Sequence, residues 1–375
     1  MIRVAHLITD LSTGGAELML RRLLEKMDRN YFSNLVISLS DVGPVGQDIL
    51  KLGIPVASLG MSPGRPSPAS IWRLVRLLRH HRPQLLQTWL YHADLLGLVA
   101  AGLSGRPKVI WNLRCSNMDL AQYSQMTGLI VRACAALSPL PYAVVANSEA
   151  GRRYHQSVGY RPRRWELIPN GFDLDRFRPD PSARGRLRAE LGVPEDAPLI
   201  GLVARFDPMK DHRTFLEAAA VVHRRYEAVD FVLCGTRVDR GNVPLAQRVQ
   251  ALGLDSVTHL LGERYDVPNI TAALDVACSS SITEGFPTAV GEAMACGVPC
   301  VVTDAGDSAL LLGDGGIVVP PRDPAALAEA LGELMQAGPA RRAELGRLGR
   351  ERVERHYSLP AIVDRYERLY KELSA

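Results

Sequence analysis

No stretch of this 375-residue chain offers the roughly 20 uninterrupted apolar residues that a bilayer-crossing helix needs, so no membrane span is expected. The opening MIRVAHLITDLSTGG has only a short apolar run, followed by Asp10 and a glycine pair. It reads as a first buried strand entering a glycine loop rather than as a secretory leader. Cysteine is sparse and unpaired in pattern: the six, at 115, 134, 234, 278, 296 and 300, form no disulfide framework. Cys296 and Cys300 have metal-like spacing, but Pro299 intervenes and no second ligand pair exists, so no metal site is expected. Cys234, Cys278 and Cys300 fall in strand-like runs, where a free thiol behaves as a small hydrophobe, and a reduced, cytoplasmic protein is expected. A net charge of +4 is too mild to demand nucleic acid, and none is expected as a partner. There is no internal repeat, no low-complexity tract and no Gly-x-Gly-x-x-Gly dinucleotide fingerprint.

The composition that is present, 47% hydrophobic and 22% charged, is that of a globular protein long enough for two domains. Strand-like runs alternate with helix-length amphipathic segments throughout: 3–8, 33–38, 85–88, 109–113, 143–146, 200–203, 231–234, 257–261, 276–279 and 298–302. Short β-rich runs separated by helices predict parallel sheets covered on both faces, an α/β class. Ten strands exceed one small sheet, so two doubly wound, Rossmann-like domains are expected. The Pro-, Gly-, Asp- and Arg-rich stretch 170–197 suits the joint. The expected division is 1–172 and 173–356. A terminal helix over 357–375 is expected after Ser358 and Pro360.

The most informative segment is SITEGFPTAVGEAMACGVPCVVTD, residues 281–304. Glu284 and Glu292 stand eight apart, with the turn Gly285-Phe286-Pro287-Thr288 between them and a helix start after it. A strand–turn–helix unit points unpaired backbone N–H groups and the helix dipole at an anion over the turn. Glu284 at its mouth can bond a polyhydroxyl ligand, and Glu292, one turn into the helix, can reach another part of it. A phosphate between two hydroxyl-rich groups describes a nucleotide sugar. Arg205 and Lys210, in VARFDPMKDH after the 200–203 strand, are two cations at the carboxyl end of a parallel strand, placed to neutralise a diphosphate. Gly14-Gly15, between a strand and a helix, lets a backbone approach such a group closely.

The 281–304 segment resembles the signature of glycosyltransferase family 4, retaining enzymes of the GT-B fold that use nucleotide sugars. Further resemblances are the Arg-x4-Lys pattern of Arg205 and Lys210, the glycine pair followed by Glu17, the landmarks Asn147-Ser148 and 168–173, and His92 in QTWLYHADLLGLVAA. The resemblance implies two domains facing across a cleft, with the C-terminal helix crossing back to the first. It implies that Gly14, Gly15, Arg205 and Lys210 hold the donor diphosphate, that backbone near Arg264 holds the base, and that Glu284 and the backbone of Gly285, Phe286, Pro287 and Thr288 orient the sugar. Glu292 would hold the ribose, and His92 would stand beside the reacting carbon. Where many members carry another histidine two positions before His92, this chain has Leu90. The resemblance also implies hexosyl transfer, UDP-sugar ahead of GDP-mannose, to a glycan or lipid-linked acceptor, with no metal or other cofactor. A GT-B epimerase or a non-catalytic sugar-nucleotide-binding protein is the alternative. Asp173-Leu174-Asp175 lies in the 168–173 landmark and its continuation and is not read as a metal-binding pair. Basic helices around 69–81 and 151–165 offer a face to anionic lipid, which would make the protein peripheral at the inner face of the membrane.

Overall fold

Each of the ten strand-like runs contains a strand, with ends shifted by two residues or fewer, and all join wholly parallel sheets. The computed structural model describes residues 1–61, 68–114 and 125–375, and the chain divides into two units. Cys115 lies outside the described residues. Unit 1 is Met1–Gly171 with Leu359–Ala375, and unit 2 is Phe172–Ser358.

Unit 1 alternates β1 (Ile2–Ile8), α1 (Gly15–Lys26), β2 (Phe32–Ser38), α2 (Gly43–Lys51), β3 (Val56–Ser58), α3 (Pro68–His81), β4 (Leu85–Trp89), α4 (Tyr91–Leu103), β5 (Lys108–Leu113), α5 (Gln125–Leu137), β6 (Ala143–Ala146), α6 (Glu149–Ser157) and β7 (Trp165–Leu167). Its seven strands lie in the order β3-β2-β1-β4-β5-β6-β7. Unit 2 runs α7 (Pro181–Leu191), β8 (Leu199–Val203), α8 (His212–Arg225), β9 (Asp230–Cys234), α9 (Val243–Ala251), β10 (Thr258–Leu260), α10 (Val267–Ala272), β11 (Val276–Ser279), α11 (Thr288–Ala295), β12 (Cys300–Thr303), α12 (Ser308–Leu312), β13 (Gly316–Val319), α13 (Pro324–Gln336) and α14 (Gly338–His356). Its six strands lie in the order β10-β9-β8-β11-β12-β13. Central strands such as β4, β11 and β12 are buried along their whole length, as helices on both faces require.

Both sheets reverse their strand order once, between β1 and β4 and between β8 and β11. In an open α/β sheet the loops leaving the two strands at that point diverge to opposite faces and leave a crevice for ligands at the carboxyl edge.

The last helix, α15 (Leu359–Ser374), belongs to unit 1. Leu359, Ile362, Val363, Tyr366, Leu369, Tyr370 and Leu373 recur at helical spacing and are all buried, in one core with Val4, Leu20 and Leu23. The Tyr366 hydroxyl accepts from Arg114 Nη2 at 2.9 Å, and the Tyr370 hydroxyl donates to Gln87 Oε1. Each fully buried apolar side chain contributes on the order of 1.5–3 kcal/mol, so this face holds the helix firmly.

The basic segment 69–81 forms an amphipathic helix. In α3, Leu74, Val75 and Leu78 are buried in the core of unit 1, and Ile71 is half-buried. That apolar face is occupied by the core of unit 1. Arg73, Arg76 and His80 form a solvated face. The basic run after α6 is also partly neutralised, with Arg152 paired to Glu149 and Arg164 to Glu166 and Glu372.

Candidate active site

In unit 2, β8 ends at Val203 and the chain turns at its carboxyl edge. Asp207 caps the short 3-10 turn Pro208–Lys210 by accepting from Met209 N–H at 2.9 Å. Burial opposes ionisation of Asp207, but the Met209 N–H and the Arg205 guanidinium outweigh it and hold its carboxyl below the usual range. Asp211 then adopts a left-handed conformation, φ 45°, and caps α8 through the Thr214 N–H. This capped double turn fixes where Lys210 points.

Lys210 meets Glu284 from the neighbouring loop after β11: its Nζ donates to Glu284 Oε1. The same oxygen accepts from Ser281 Oγ at 2.7 Å. Backbone bonds join the two loops more widely. Ile282 N–H donates to the Met209 carbonyl at 2.8 Å, and Ser280 Oγ donates to the Lys210 and Asp211 carbonyls at 2.9 and 3.0 Å. The loop after β12 supports Glu284 from behind. Asp307 N–H donates to the Gly285 carbonyl at 3.1 Å, and Thr303 Oγ1 donates to the Ser281 carbonyl at 2.6 Å. Gly306 is left-handed, φ 59°, and a Cβ there would stand 2.0 Å from the Glu284 carbonyl oxygen. Only glycine fits that contact.

Phe286 and Pro287 are buried, and the Phe286 ring stacks on Phe172 at 5.9 Å and packs on Tyr357 at 5.6 Å. Their side chains anchor the turn and leave its backbone for a ligand. Pro287 precedes α11 without a side-chain cap, so the first N–H groups of that helix have no intrahelical partner. Glu292 lies one turn in and is half-buried.

Arg205 and the Arg264 region sit differently. The Arg205 side chain is 67% exposed and leans on Asp207 Oδ2 at 3.0 Å, free to swing towards a ligand. The Arg264 guanidinium bonds Glu190 at 2.6 Å and Asp266 at 2.8 Å, and these carboxylates raise its pKa. It is saturated, which leaves only the backbone there for recognition. Asp173 Oδ1 accepts from the N–H groups of Asp175 and Arg176, both at 3.1 Å, as a local turn does. Asn170 Oδ1 accepts from Arg114 Nη1 at 2.7 Å, a structural bond within unit 1.

In unit 1, Gly14-Gly15 and His92 follow the two strands at the switch point, β1 and β4. Gly14 is extended and precedes α1, and a Cβ there would fall 2.2 Å from Glu17 Oε2. Burial raises the pKa of that Glu17 carboxyl. Around Gly15 there is open space: a Cβ would meet nothing within 4 Å. His92 is the second residue of α4 and half-buried, and desolvation lowers its pKa, which keeps the imidazole neutral at pH 7.

Sequence reading missed what holds His92. Leu90, immediately before α4, has φ 74° and ψ 154°, a region that essentially only glycine occupies. Asp94, fully buried, fixes the turn: its Oδ1 accepts from Thr88 Oγ1 at 2.5 Å, and the Asn112 backbone also supports it. Burial pushes its carboxyl well above the usual range. Gly97 lets α4 close on β4, because a Cβ there would lie 2.5 Å from Thr88 Cγ2.

Two parallel-sheet units of this topology, each with candidate residues at its switch point, form the GT-B architecture. A family model described as Glycosyltransferase Family 4 matches residues 13–176, and one described as Glycosyl transferases group 1 matches 197–337. The chain belongs to the family 4 glycosyltransferases. EpsF of Bacillus subtilis (strain 168), which carries a glycosyltransferase name, is 29% identical over 318 residues, 81% of this chain and 79% of that protein. The UDP-Gal:alpha-D-GlcNAc-diphosphoundecaprenol alpha-1,3-galactosyltransferase of Escherichia coli is 27% identical over 63% of this chain and 61% of its own length. Other curated relatives, D-inositol 3-phosphate glycosyltransferases, are matched over about half of their length. The crystal structure of Anabaena HepE in complex with UDP superposes with a TM-score of 0.86, covering 99% of this chain and 100% of HepE; at 23% identity the likeness is one of fold.

Proposed function

We propose that this enzyme transfers a hexosyl group from a nucleotide diphosphate sugar to a hydroxyl of a glycan or lipid-linked glycan, with retention of anomeric configuration and without a metal. The observation that carries the reading is the Lys210–Glu284 contact at the β8/β11 switch point, beside the uncapped start of α11. A carboxylate held by a lysine and a serine hydroxyl is a preorganised acceptor for sugar hydroxyls. Lys210 faces the charge that grows on the departing diphosphate, where a fixed cation acts without reorganising, and the exposed Arg205 swings in to meet it.

In the step itself, the bond from the anomeric carbon to the β-phosphate oxygen breaks and the bond to the acceptor oxygen forms. The acceptor proton passes to the leaving phosphate oxygen on the same face, so no protein base is consumed. Glu284 and the Gly285–Thr288 backbone orient the sugar, and Glu292 binds the ribose. Backbone near Arg264 takes the base. Gly14, Gly15 and His92 are assigned to the diphosphate and the sugar by the family pattern. A neutral His92 suits a hydrogen bond to a sugar hydroxyl better than a charge contact.

UDP-sugar is the first donor to test and GDP-mannose the second. The UDP bound in HepE and the UDP-Gal in the name of the Escherichia coli relative favour that order. The diphosphoundecaprenol in the latter name supports a lipid-linked acceptor at the inner face of the cell membrane. Calorimetry with UDP, GDP, ADP and their sugars in EDTA tests the donor site. Selective, EDTA-resistant binding of one nucleotide is expected. Binding of none overturns the reading, and conversion of the donor without an acceptor makes the protein an epimerase instead.

A further inference from the structure

Unit 2 holds a cavity of about 290 Å³ between the first turns of α8 and α9. Phe206, Leu216 and Leu245 give it apolar lining, and His212, Arg213 and Arg248 give it polar lining. Arg205, Lys210, Glu284 and Glu292 are not among the described residues that line it, so it is separate from the charged edge at β8/β11. Mostly apolar walls with a few converging polar groups are what a small-molecule site needs.

His212 opens α8 and is only 4% exposed, yet neither ring nitrogen completes a hydrogen bond among the described residues. Burial lowers its pKa from 6.5 to about 4, against a smaller opposing pull from the Ala204 carbonyl, which can serve one nitrogen at most. The neutral ring has one donor and one acceptor, and a buried polar group left unpaired is costly. The Phe206 ring lies beside it, with centroids 5.2 Å apart. A second unpaired atom belongs to the same lining: Arg248 Nε is buried without a partner, while its Nη2 meets Glu217. Arg213 Nε donates to the same Glu217 oxygen at 3.0 Å, and its side chain is 75% exposed. The two aspartates of the lining, Asp207 and Asp211, already accept from Met209 N–H at 2.9 Å and from Thr214 Oγ1 at 2.7 Å. The groups left to meet a ligand are therefore guanidinium donors, one imidazole and an aromatic and aliphatic surface. A hydroxyl satisfies the imidazole, a planar ring the apolar lining, and a carboxylate the guanidinium groups.

We propose that this cavity binds a small hydroxylated aromatic acid, and that its occupancy is linked to donor binding through the turn at 207–211. Asp207 and Asp211 line the cavity and also cap the turn that aims Lys210 at Glu284. A ligand packed against that turn holds it in place. The linkage rests on the donor reading above; the site itself does not.

The test is calorimetry on the full chain with 4-hydroxybenzoate, benzoate and phenol. With about ten non-hydrogen atoms, 4-hydroxybenzoate is expected to bind at about 1 mM or tighter, and about tenfold tighter than either fragment. His212→Phe keeps a ring and removes both nitrogens. It should bind 4-hydroxybenzoate no better than benzoate, with the melting temperature unchanged or higher. Arg213→Ala, at an exposed side chain, should weaken 4-hydroxybenzoate about threefold and carries the test if His212→Phe does not fold. With the cavity filled, UDP should bind about fivefold tighter. Absence of binding, a preference for the hydroxyl that survives in His212→Phe, wild-type affinity in Arg213→Ala, or competition between 4-hydroxybenzoate and UDP overturns the proposal. An unchanged UDP affinity with the cavity filled overturns the linkage. Failure of the transferase reading appears separately, as absent nucleotide binding with 4-hydroxybenzoate binding intact.

Discussion

The two switch points use the same topology and opposite chemistry. At β8/β11 the residues are charged and already engaged: Lys210 on Glu284, Arg205 on Asp207, and a serine and a glycine-supported backbone behind them. At β1/β4 they are an open glycine, a neutral histidine and a strained leucine. One edge holds fixed charge; the other supplies space and a directed side chain. The difference shows that a Rossmann-like sheet specifies where a ligand lies and not how it is held. The loops decide that separately on each sheet.

The sharpest way to break the comparison is to remove the charge from the β8/β11 edge. Glu284→Gln and Lys210→Ala are each expected to lower turnover by about 10²–10³-fold, the range for losing one preorganised group at a site of developing charge. The fold should survive, because both side chains are partly exposed, at 12% and 23%. Steady-state kinetics with a radiolabelled donor, beside a thermal melt, decide it. Turnover near wild type in both variants would remove the pair from the mechanism.

The next effect concerns the β1/β4 edge. If strain at Leu90 is there to present His92, Leu90→Gly should relax the turn. A non-glycine residue in this region costs on the order of 1–3 kcal/mol, part of which glycine gives back through its freer unfolded chain. The expected outcome is a melting temperature unchanged or higher with kcat about tenfold lower, since loosened positioning alone can cost that much. His92→Ala should lower kcat at least as far. A slow His92→Ala beside a fully active Leu90→Gly would show that the histidine acts but the strained turn is not what aims it.

Much of the β8/β11 edge was legible because it is written in local spacing. Glu284 and Glu292 bracket one turn, and Arg205 and Lys210 bracket another. Strand positions were legible where burial on both faces demands continuous apolar runs. The edge strands β3, β7 and β13 are short and half-exposed, so periodicity marks them weakly. What could not be read depends on tertiary partners. Leu90 looks like an ordinary core leucine until its φ is known, and Asp94 looks like a surface acid until Thr88 and Asn112 close on it. Arg264 marked a loop whose backbone was expected to hold the base, and only the fold shows that Glu190, 74 residues away in sequence, holds its side chain. The segment 69–81 reads as a basic amphipathic helix, and only the fold shows that its apolar side chains go to the core.

Acid separates the units in a milder way. Burial lowers His6 and His155 in unit 1, and His212 in unit 2, from the usual 6.5 to about 4. Since the folded pKa lies below the unfolded one, the unfolded chain binds more protons between these values. Stability is therefore full above pH 6.5 and falls as pH drops towards 4. With two such groups to one, the histidine contribution lost on acidification is larger in unit 1, while protonation of the buried Glu17 and Asp94 carboxyls there, which burial raises, acts in the opposite direction. Chemical unfolding monitored at pH 7.5, 6 and 5 should show two transitions drawing apart, and equal shifts would assign the acid response to groups other than these histidines.

The smallest expected effect gives the cleanest contrast within one loop. Gly14→Ala and Gly15→Ala add the same methyl group to neighbouring positions. At Gly14 it would meet the Glu17 carboxylate 2.2 Å away, so the side chain must move and stability should fall slightly. At Gly15 it meets nothing within 4 Å, and φ there is that of a helix start, which alanine accepts. The structure alone thus gives no reason for glycine at 15. If a diphosphate lies against that backbone, Gly15→Ala should weaken nucleotide binding by about tenfold, near 1.4 kcal/mol, with the melting temperature of the free protein unchanged or raised. Calorimetry with UDP and GDP on both variants reads this directly. Unaltered affinity in Gly15→Ala would leave β1 with a tight turn and no ligand, and the donor would then be held by the charged edge of β8 and β11 without it.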